Sequence, residues 1–334
     1  MTTASTMKAL RLDVAGQPLT LATVERPVAG PGQVLVRIAA AGLNPLDAKI
    51  RAGQGGHARQ PAPAVLGIDM AGHVEAVGAG VEGFAVGDAV YGMTGGVAGV
   101  QGSLAQYAAV DVRLLAHAPA SMPLSEAAAL PLVFITAWEG LVDRANVQAG
   151  QSVLVIAGAG GVGSMAVQLA VARGARVFAT GSVEQETIIT GLGATWIDRN
   201  MDIQAAVDSH TAGEGFDVVY DTLGGATLDA AFVAARRYGG HVVSSLGWGT
   251  HALAPLSFRA ATYSGVFTLM PLLTGTGREH HGEIMAEATK LADAGKLRPV
   301  LSAQRFMLAD GNAALDLVET GRAGGKVVVE IPAA

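Results

Sequence analysis

The feature that most constrains the fold is the glycine-rich segment 158–163, whose sequence GAGGVG matches the pattern G-x-G-x-x-G. An unbroken apolar run at 152–157 precedes it, as in a buried parallel strand, and 164–173 follows with helical periodicity. In this context the glycines permit a tight turn, close approach of the backbone to a pyrophosphate, and close packing of helix on sheet. The pattern predicts a dinucleotide-binding turn, and a glycine-rich turn that binds nothing is the alternative. The predicted binding residues are Gly158, Gly160, Gly161, Val162 and Gly163.

The patterning on either side of this turn predicts an α/β protein. Downstream, a helical stretch at 184–192 lies among candidate strands at 176–180, 196–198, 217–221 and 241–246. Such alternation is typical of a doubly wound parallel sheet. Upstream, short apolar runs predict a β-rich domain with strands at 7–12, 19–24, 33–41, 71–77 and 83–91.

Two further regions define the predicted domain limits. Ser125 is expected to cap a helix that begins at Glu126, and a second helical stretch after Pro131 runs to about residue 145. Near the C-terminus, a helix is expected at 279–295 and a strand at 326–331. A terminal apolar strand needs a sheet to join, so we expect it to return to the β-rich domain. The predicted domains are therefore 1–124 together with 271–334, and 125–270.

Composition excludes several classes of function. The chain of 334 residues has no cysteine, which excludes disulfides, thiolate nucleophiles and cysteine-ligated zinc. Its formal net charge is −6 and no cationic run forms a basic stripe, so nucleic-acid binding is disfavoured. No apolar stretch reaches the roughly 18 residues of a spanning helix. We therefore expect a cytoplasmic protein that inserts into no membrane.

The residues after the second strand of the parallel sheet bear on the choice of dinucleotide. Enzymes that use NAD usually place Asp or Glu at the end of that strand, where this chain has Thr180 and Ser182. Ser182 can donate to a 2′-phosphate, and Arg199 can supply the opposing charge. These residues favour NADP over NAD. The alternatives are that Ser182 only caps a helix, that Arg199 is a solvated surface residue, or that Glu184 binds a ribose hydroxyl.

Several segments together resemble a known family. They are GLNPLD at 42–47, GIDMAG at 67–72, VGDAV at 86–90, the stretch 130–138 and the glycine turn. The chain resembles the medium-chain dehydrogenase/reductase superfamily, in its zinc-free branch of quinone and enone oxidoreductases, nearly from end to end. The resemblance implies a Rossmann domain inserted into a GroES-like β-rich catalytic domain, with nicotinamide and substrate in the cleft between them. It also implies a homodimer.

The residues at the zinc-ligand positions of the resembled superfamily argue against a metal. Zinc-dependent members have Cys where this chain has Asn44, His-Glu where it has Ile68 and Asp69, and a third ligand near Leu132. Asp69 alone cannot hold a catalytic zinc, which needs about three protein ligands. Adjacent side chains on a helix point about 100° apart, so we interpret the pair His280-His281 as a solvated surface pair. We therefore expect no zinc.

The same resemblance implies roles for individual residues. Asn44 would orient cofactor or substrate, and Lys49 would donate to the developing oxyanion; the alternatives are an Asn in a turn before Pro45 and an exposed helix lysine. Arg322 would reach the adenine-side phosphate, since the lysine that many members carry near Gln185 is missing here. The residues implied to lie on the nicotinamide side are Thr136, Leu246, Gly247 and Phe267.

The expected chemistry follows from the missing metal. Without a Lewis acid to lower the pKa of an alcohol, oxidation of simple alcohols becomes difficult. Conjugate reduction needs only hydride delivery and hydrogen-bond donors that stabilise an enolate. We therefore expect hydride transfer from NADPH to the conjugated double bond of an enone, or to a quinone, with a small uncharged substrate. A non-catalytic NADPH-binding redox sensor or structural protein is the alternative.

Overall fold

The computed structural model describes residues 5–332, which form two compact units. One unit contains the chain up to Leu132 and from Leu269 onward, and the other is Val133–Thr268. The first limit lies at residue 132, eight residues after the predicted 124. The second lies at residue 268, two residues before the predicted 270. The first difference arises because helix α2, Leu124–Ala127, packs on strands of the first unit.

The elements follow one another in chain order. Up to residue 127 they are β1 Thr6–Leu12, β2 Thr20–Glu25, β3 Gln33–Gly42, α1 Pro45–Arg51, β4 Ala64–Val65, β5 Asp69–Val77, β6 Ala89–Met93, β7 Tyr107–Asp111, β8 Leu115–His117 and then α2. The middle of the chain has α3 Pro131–Trp138, a π-helical stretch Glu139–Arg144, β9 Ser152–Val155, α4 Gly161–Ala172, β10 Arg176–Gly181, α5 Glu186–Gly191, β11 Thr195–Asp198, α6 Ile203–Thr211, β12 Val218–Asp221, α7 Ala226–Ala234, β13 His241–Ser244, α8 Ala254–Ser257 and β14 Thr262–Gly265. The last elements are α9 Met270–Thr274, α10 Arg278–Asp293, β15 Phe306–Met307, α11 Gly311–Thr320 and β16 Val328–Glu330.

The first unit is built around strand β3, which is apolar along almost its whole length. It pairs antiparallel with β5, β7 and β16, in a sheet of order β15-β16-β3-β5-β6-β8. A separate small sheet has the order β2-β1-β4. The pairing of β16 with β3 confirms that the C-terminal strand returns to the β-rich part of the chain.

The second unit is a parallel sheet with helices between its strands, in the order β11-β10-β9-β12-β13-β14. This order confirms the predicted doubly wound sheet. From β9 the strand order runs outward in both directions, to β10 on one side and to β12 on the other. Ligands of such sheets bind outside the carboxyl ends of the strands at this switch point. The packing of the unit is apolar, with Leu154, Phe216, Val219, Phe232 and Val242 buried in one cluster.

Several predicted element boundaries differ from the structure, and three of them have features that bear on the difference. The strand predicted at 83–91 begins only at Ala89, because Gly83 and Gly87 have positive φ and form turns. Helix α2 begins at Leu124 after Pro123, so Ser125 lies inside it and does not cap it. Strand β13 ends at Ser244, where the Ser244 hydroxyl accepts from the Leu246 N–H (3.1 Å).

No helix within residues 5–332 is long and apolar enough to cross a membrane.

Candidate functional site

The glycine-rich turn follows β9 directly and is held by strand β10. The backbone N–H of Ala157 donates to the hydroxyl of Thr180 (3.0 Å), and the N–H of Gly158 donates to the Thr180 carbonyl (2.9 Å). Ala157 itself has a left-handed φ of 61°. Thr180 therefore fixes where the turn leaves the sheet, a role that sequence reasoning missed although Thr180 lies at the predicted strand end.

Steric contact explains the glycines in this turn. A Cβ on Gly163 would overlap the carbonyl oxygen of Ala157, and a Cβ on Gly158 would lie 2.5 Å from that of Ala179. Helix α4 starts at Gly161, and its N-cap, Gly160, offers no capping side chain to the first-turn N–H groups. A tight glycine turn that aims a helix N-terminus at the end of a parallel strand is the geometry that binds pyrophosphate. The residues present therefore fit a dinucleotide.

The residues predicted to bind the 2′-phosphate lie together at the end of β10. The N–H of Arg199 donates to the Gly181 carbonyl (3.0 Å), and the N–H of Ser182 donates to the side chain of Gln185 (3.0 Å). A hydrogen bond from the Ser182 side chain, together with the nearby charge of Arg199, lowers the pKa of exposed Glu184. The side chain of Glu184 therefore lies near both residues that are predicted to bind the 2′-phosphate.

The residues predicted on the nicotinamide side lie at two places in the second unit. The hydroxyls of Thr136 and Thr268 are 3.1 Å apart, and Thr268 directly follows Phe267. Leu246 and Gly247 follow β13, where a Cβ on Gly247 would overlap the Tyr263 hydroxyl. Their contact with nicotinamide stays a prediction.

In the first unit, Asn44 belongs to a buried polar cluster. Its Nδ2 donates to Asp69 Oδ2 (2.9 Å), and its Oδ1 accepts from Lys326 Nζ (2.6 Å). Lys326 Nζ also donates to the Leu43 carbonyl (2.9 Å) and lies 3.6 Å from Asp69 Oδ2. Asp47 accepts from the Asn44 N–H (2.9 Å), which fixes the start of α1. Asn44 is only 1% exposed, so the protein already determines the orientation of its amide.

Burial controls the ionisation of this cluster. Desolvation raises the pKa of Asp47 to about 7, against the lowering effect of its hydrogen bond from the Asn44 N–H. Desolvation also raises the pKa of Asp69, although Lys326 and Asn44 oppose the shift. The pKa of Lys326 is lowered by burial, an effect that the neighbouring carboxylates oppose.

Comparison with known proteins identifies the family. Residues 30–120 match the family model for the alcohol dehydrogenase GroES-like domain, and residues 192–329 match the zinc-binding dehydrogenase model. The 2-methylene-furan-3-one reductase of Solanum lycopersicum is 38% identical in an alignment of 304 residues that covers 89% of this chain and 71% of that protein. The chain belongs to the medium-chain dehydrogenase/reductase superfamily. It is an oxidoreductase with a GroES-like and a dinucleotide-binding part.

Two further relatives within the superfamily are similar over most of their length. The chloroplastic NADPH-dependent alkenal/one oxidoreductase of Arabidopsis thaliana is 37% identical over 304 residues, covering 89% of this chain and 72% of that protein. A crystal structure of an alcohol dehydrogenase superfamily protein from Novosphingobium aromaticivorans has a TM-score of 0.96 and 55% identity, with 98% of this chain and 100% of that one covered.

The positions that hold zinc in other members of the superfamily have a different environment here. Ile68 is buried, and the N–H of Leu132 donates to Asp69 Oδ1 (2.9 Å). Within the described range 5–332, no group of three or more His, Asp or Glu side chains is placed to hold a metal. The interpretation of His280-His281 as a solvated pair is wrong for one member, because His281 is fully buried on α10.

The two remaining predicted residues are exposed side chains of the first unit. Lys49 lies on α1, and its charge adds to partial burial in lowering the pKa of His57. Arg322 lies in the turn after α11. Sequence reasoning assigned no role to Lys326 or Asp47, although Asp47 lies in the GLNPLD segment that carries the resemblance.

Proposed function

We propose that this oxidoreductase transfers hydride from NADPH to the conjugated double bond of a small, uncharged enone or enal, without a metal. The observation that carries the proposal is the glycine turn, which fits a pyrophosphate, in a chain that resembles an enone reductase and an NADPH-dependent alkenal/one oxidoreductase. Bound NADPH supplies the hydride. The chain itself must hold the dinucleotide, orient the acceptor and stabilise charge on the carbonyl oxygen.

We assign the dinucleotide to the parallel-sheet unit. Gly158 to Gly163 would hold the pyrophosphate, and Ser182 with Arg199 would hold the 2′-phosphate. The Glu184 carboxylate competes with the phosphate for these donors. However, Glu184 is exposed, and interactions between exposed charges are worth little, so its side chain can turn away when the phosphate binds.

Metal independence is supported by the buried cluster around Asn44. A zinc ion needs about three ligands, yet this position offers an amide whose oxygen already accepts from the Lys326 ammonium. The cationic charge of Lys326 lies 3.6 Å from Asp69, the only carboxylate at the zinc-ligand positions. A second positive charge beside Lys326 would be repelled, so we propose that zinc takes no part.

The first unit supplies the side chains that we assign to the substrate. Lys49 is exposed at the last turn of α1, where its ammonium can donate to a developing enolate oxygen. Asn44 would act through the orientation that Asp69 and Lys326 impose.

A quinone accepts hydride at a conjugated carbon in the same way, so quinone reduction is expected as a second activity of the same residues. We also propose that the protein is a cytoplasmic homodimer.

A substrate panel tests the proposal. In the reductive assay, purified protein is incubated with NADPH or NADH and with 3-buten-2-one, 2-hexenal or 1,4-benzoquinone. In the oxidative assay it is incubated with NADP⁺ and benzyl alcohol. Cofactor absorbance is followed in both. The expected result is enone or enal reduction that survives prolonged dialysis against EDTA. Loss of activity restored by zinc, or alcohol oxidation as fast as enone reduction, would overturn it. Stoichiometric NADPH binding without turnover of any acceptor would favour the non-catalytic sensor.

A further inference from the structure

Asp221 is a fully buried carboxylate at the carboxyl end of β12, beside the point where the order of the parallel sheet reverses. Its Oδ1 accepts from the Thr227 hydroxyl (2.7 Å), and its Oδ2 accepts from the Gly224 N–H (2.9 Å) and the Ser244 hydroxyl (2.7 Å). All of these donors are neutral. A carboxylate buried at this end of the sheet therefore organises the surrounding backbone through hydrogen bonds alone.

Ser244 extends this organisation to the end of β13. The Ser244 hydroxyl donates to Asp221 Oδ2 (2.7 Å), so its single proton points at Asp221. The oxygen of Ser244 is thereby turned to accept the N–H of Leu246, at 3.1 Å. Gly224 approaches the Leu246 carbonyl so closely that a Cβ would overlap it. Asp221 thus holds the turn after β12 and the segment after β13 against each other.

We propose that Asp221 is a positioning residue for the nicotinamide half of the dinucleotide and acts through Ser244 on the Leu246 backbone. The inference rests on the proposed NADPH-dependent function. The crevice at the carboxyl ends of the strands is where such sheets bind dinucleotides, and β12 and β13 both end there. The glycine turn after β9 would hold the pyrophosphate, whereas the Ser244 hydroxyl bonds to Asp221 and Leu246.

Binding of two ligands to the Ser244→Ala variant tests the role. Ser244→Ala removes the link between Asp221 and Leu246 but keeps the carboxylate. NADPH binding should weaken about tenfold, whereas 2′-phospho-ADP-ribose, which lacks nicotinamide, should bind as it does to the wild type. Affinities are measured by isothermal titration calorimetry, and thermal unfolding is recorded beside them.

The chain offers a matched control at the opposite end of the same sheet. The Ser152 hydroxyl donates to Asp217 (2.9 Å) and accepts from the Asp217 N–H (3.0 Å), so Ser152→Ala removes equivalent bonds. This variant should bind both ligands normally. Asp221→Asn, where it folds, should show the selective loss seen with Ser244→Ala.

The possible outcomes separate this inference from the proposed function. Equal weakening of both ligands by Ser244→Ala, or no weakening of either, would overturn the positioning role. A wild-type protein that binds 2′-phospho-ADP-ribose and NADPH equally well would overturn it too, because nicotinamide would then contribute nothing to position. Absence of NADPH binding and turnover in the wild type would instead contradict the proposed function.

Discussion

Three side chains at the end of β10 bear on cofactor choice, namely the charged Arg199 and Glu184 and the neutral Ser182. Arg199 is held next to the strand end by its backbone bond to Gly181, and the Ser182 side chain is hydrogen-bonded to Glu184. A 2′-phosphate brings up to two negative charges to this place, and the planar guanidinium of Arg199 donates to a phosphate better than a lysine would. The carboxylate of Glu184, in contrast, is suited to the ribose hydroxyls of NADH.

Arg199→Ala should therefore reduce affinity for NADPH selectively. Hydrogen bonds to charged groups contribute roughly 1.5–3 kcal/mol, so the KM for NADPH should rise about 10- to 100-fold while that for NADH hardly changes. Arg176→Ala, at the opposite end of β10, is the control and should change neither constant. A wild-type preference for NADH would assign the ribose to Glu184. An unchanged KM for NADPH would mean that the phosphate is bound elsewhere, with Arg322 the next residue to replace.

A second residue-scale feature is the buried carboxyl of Asp47. Burial raises its pKa from 3.8 to about 7, with Asp69 adding to the shift and Lys326 opposing it. The folded protein therefore retains a proton that the unfolded chain releases near pH 4. Stability from this group is complete below about pH 4 and is lost as the pH rises to about 7.

Asp47→Asn should remove this dependence on pH. An asparagine stays neutral, and its oxygen can still accept from the Asn44 N–H. Between pH 5 and pH 8 the wild type should lose roughly 2 kcal/mol of unfolding free energy that the variant does not lose. Urea unfolding at each pH measures this difference. Asp13→Asn, at an exposed ion pair with Arg11, should follow the wild-type curve. Parallel curves for Asp47→Asn and wild type would contradict the raised pKa.

At the scale of elements, the first turn of α4 leaves no room for a side chain at Gly163, because the turn after β9 packs against it. Gly163→Ala would force the new Cβ against the Ala157 carbonyl, so the turn must open. We expect the variant to be destabilised by about 1–3 kcal/mol, measured by thermal unfolding. We also expect its affinity for NADPH to fall at least tenfold, measured by titration. Gly191→Ala, at the exposed end of α5 with no atom near the new Cβ, should leave both unchanged. Equal behaviour of the two variants would contradict the steric argument.

The same elements show what the sequence can predict. Apolar periodicity identified most strands of the two larger sheets because burial imposes it. The glycine turn could be located because close contacts leave no room for a Cβ at Gly158 and Gly163. Periodicity does not encode side-chain bonds such as the one at the end of β13, where the Ser244 hydroxyl accepts from the Leu246 N–H. The buried partners of Asn44 were also missed. Asp69 and Lys326 are far from it in the chain, and no local pattern indicates that a lysine is buried.

At the scale of the whole chain, the C-terminal strand completes the unit that the N-terminal part begins. Val328 pairs with Gly42 across β16 and β3, and the N–H of Leu43 donates to the Val327 carbonyl (2.9 Å). Lys326, just before that strand, brings the positive charge that faces Asp69, 3.6 Å away. The polar cluster around Asn44 therefore forms only when residues nearly 300 positions apart have come together, as the bond between Lys326 and Asn44 shows directly.

Lys326→Met should therefore destabilise the fold far more than its place near the chain end suggests. It leaves the buried Asp69 carboxyl without a counter-charge, and breaking such a pair costs about 3–5 kcal/mol. Lys326→Met/Asp69→Asn removes both charges, so its loss in urea unfolding should be smaller than the sum of the single losses. Glu330→Gln, which breaks a surface pair with Arg305 on the same terminal segment, should cost less than about 1 kcal/mol. Additive losses in the double variant would show that Lys326 stabilises the unit by packing alone, and the charge would then be incidental.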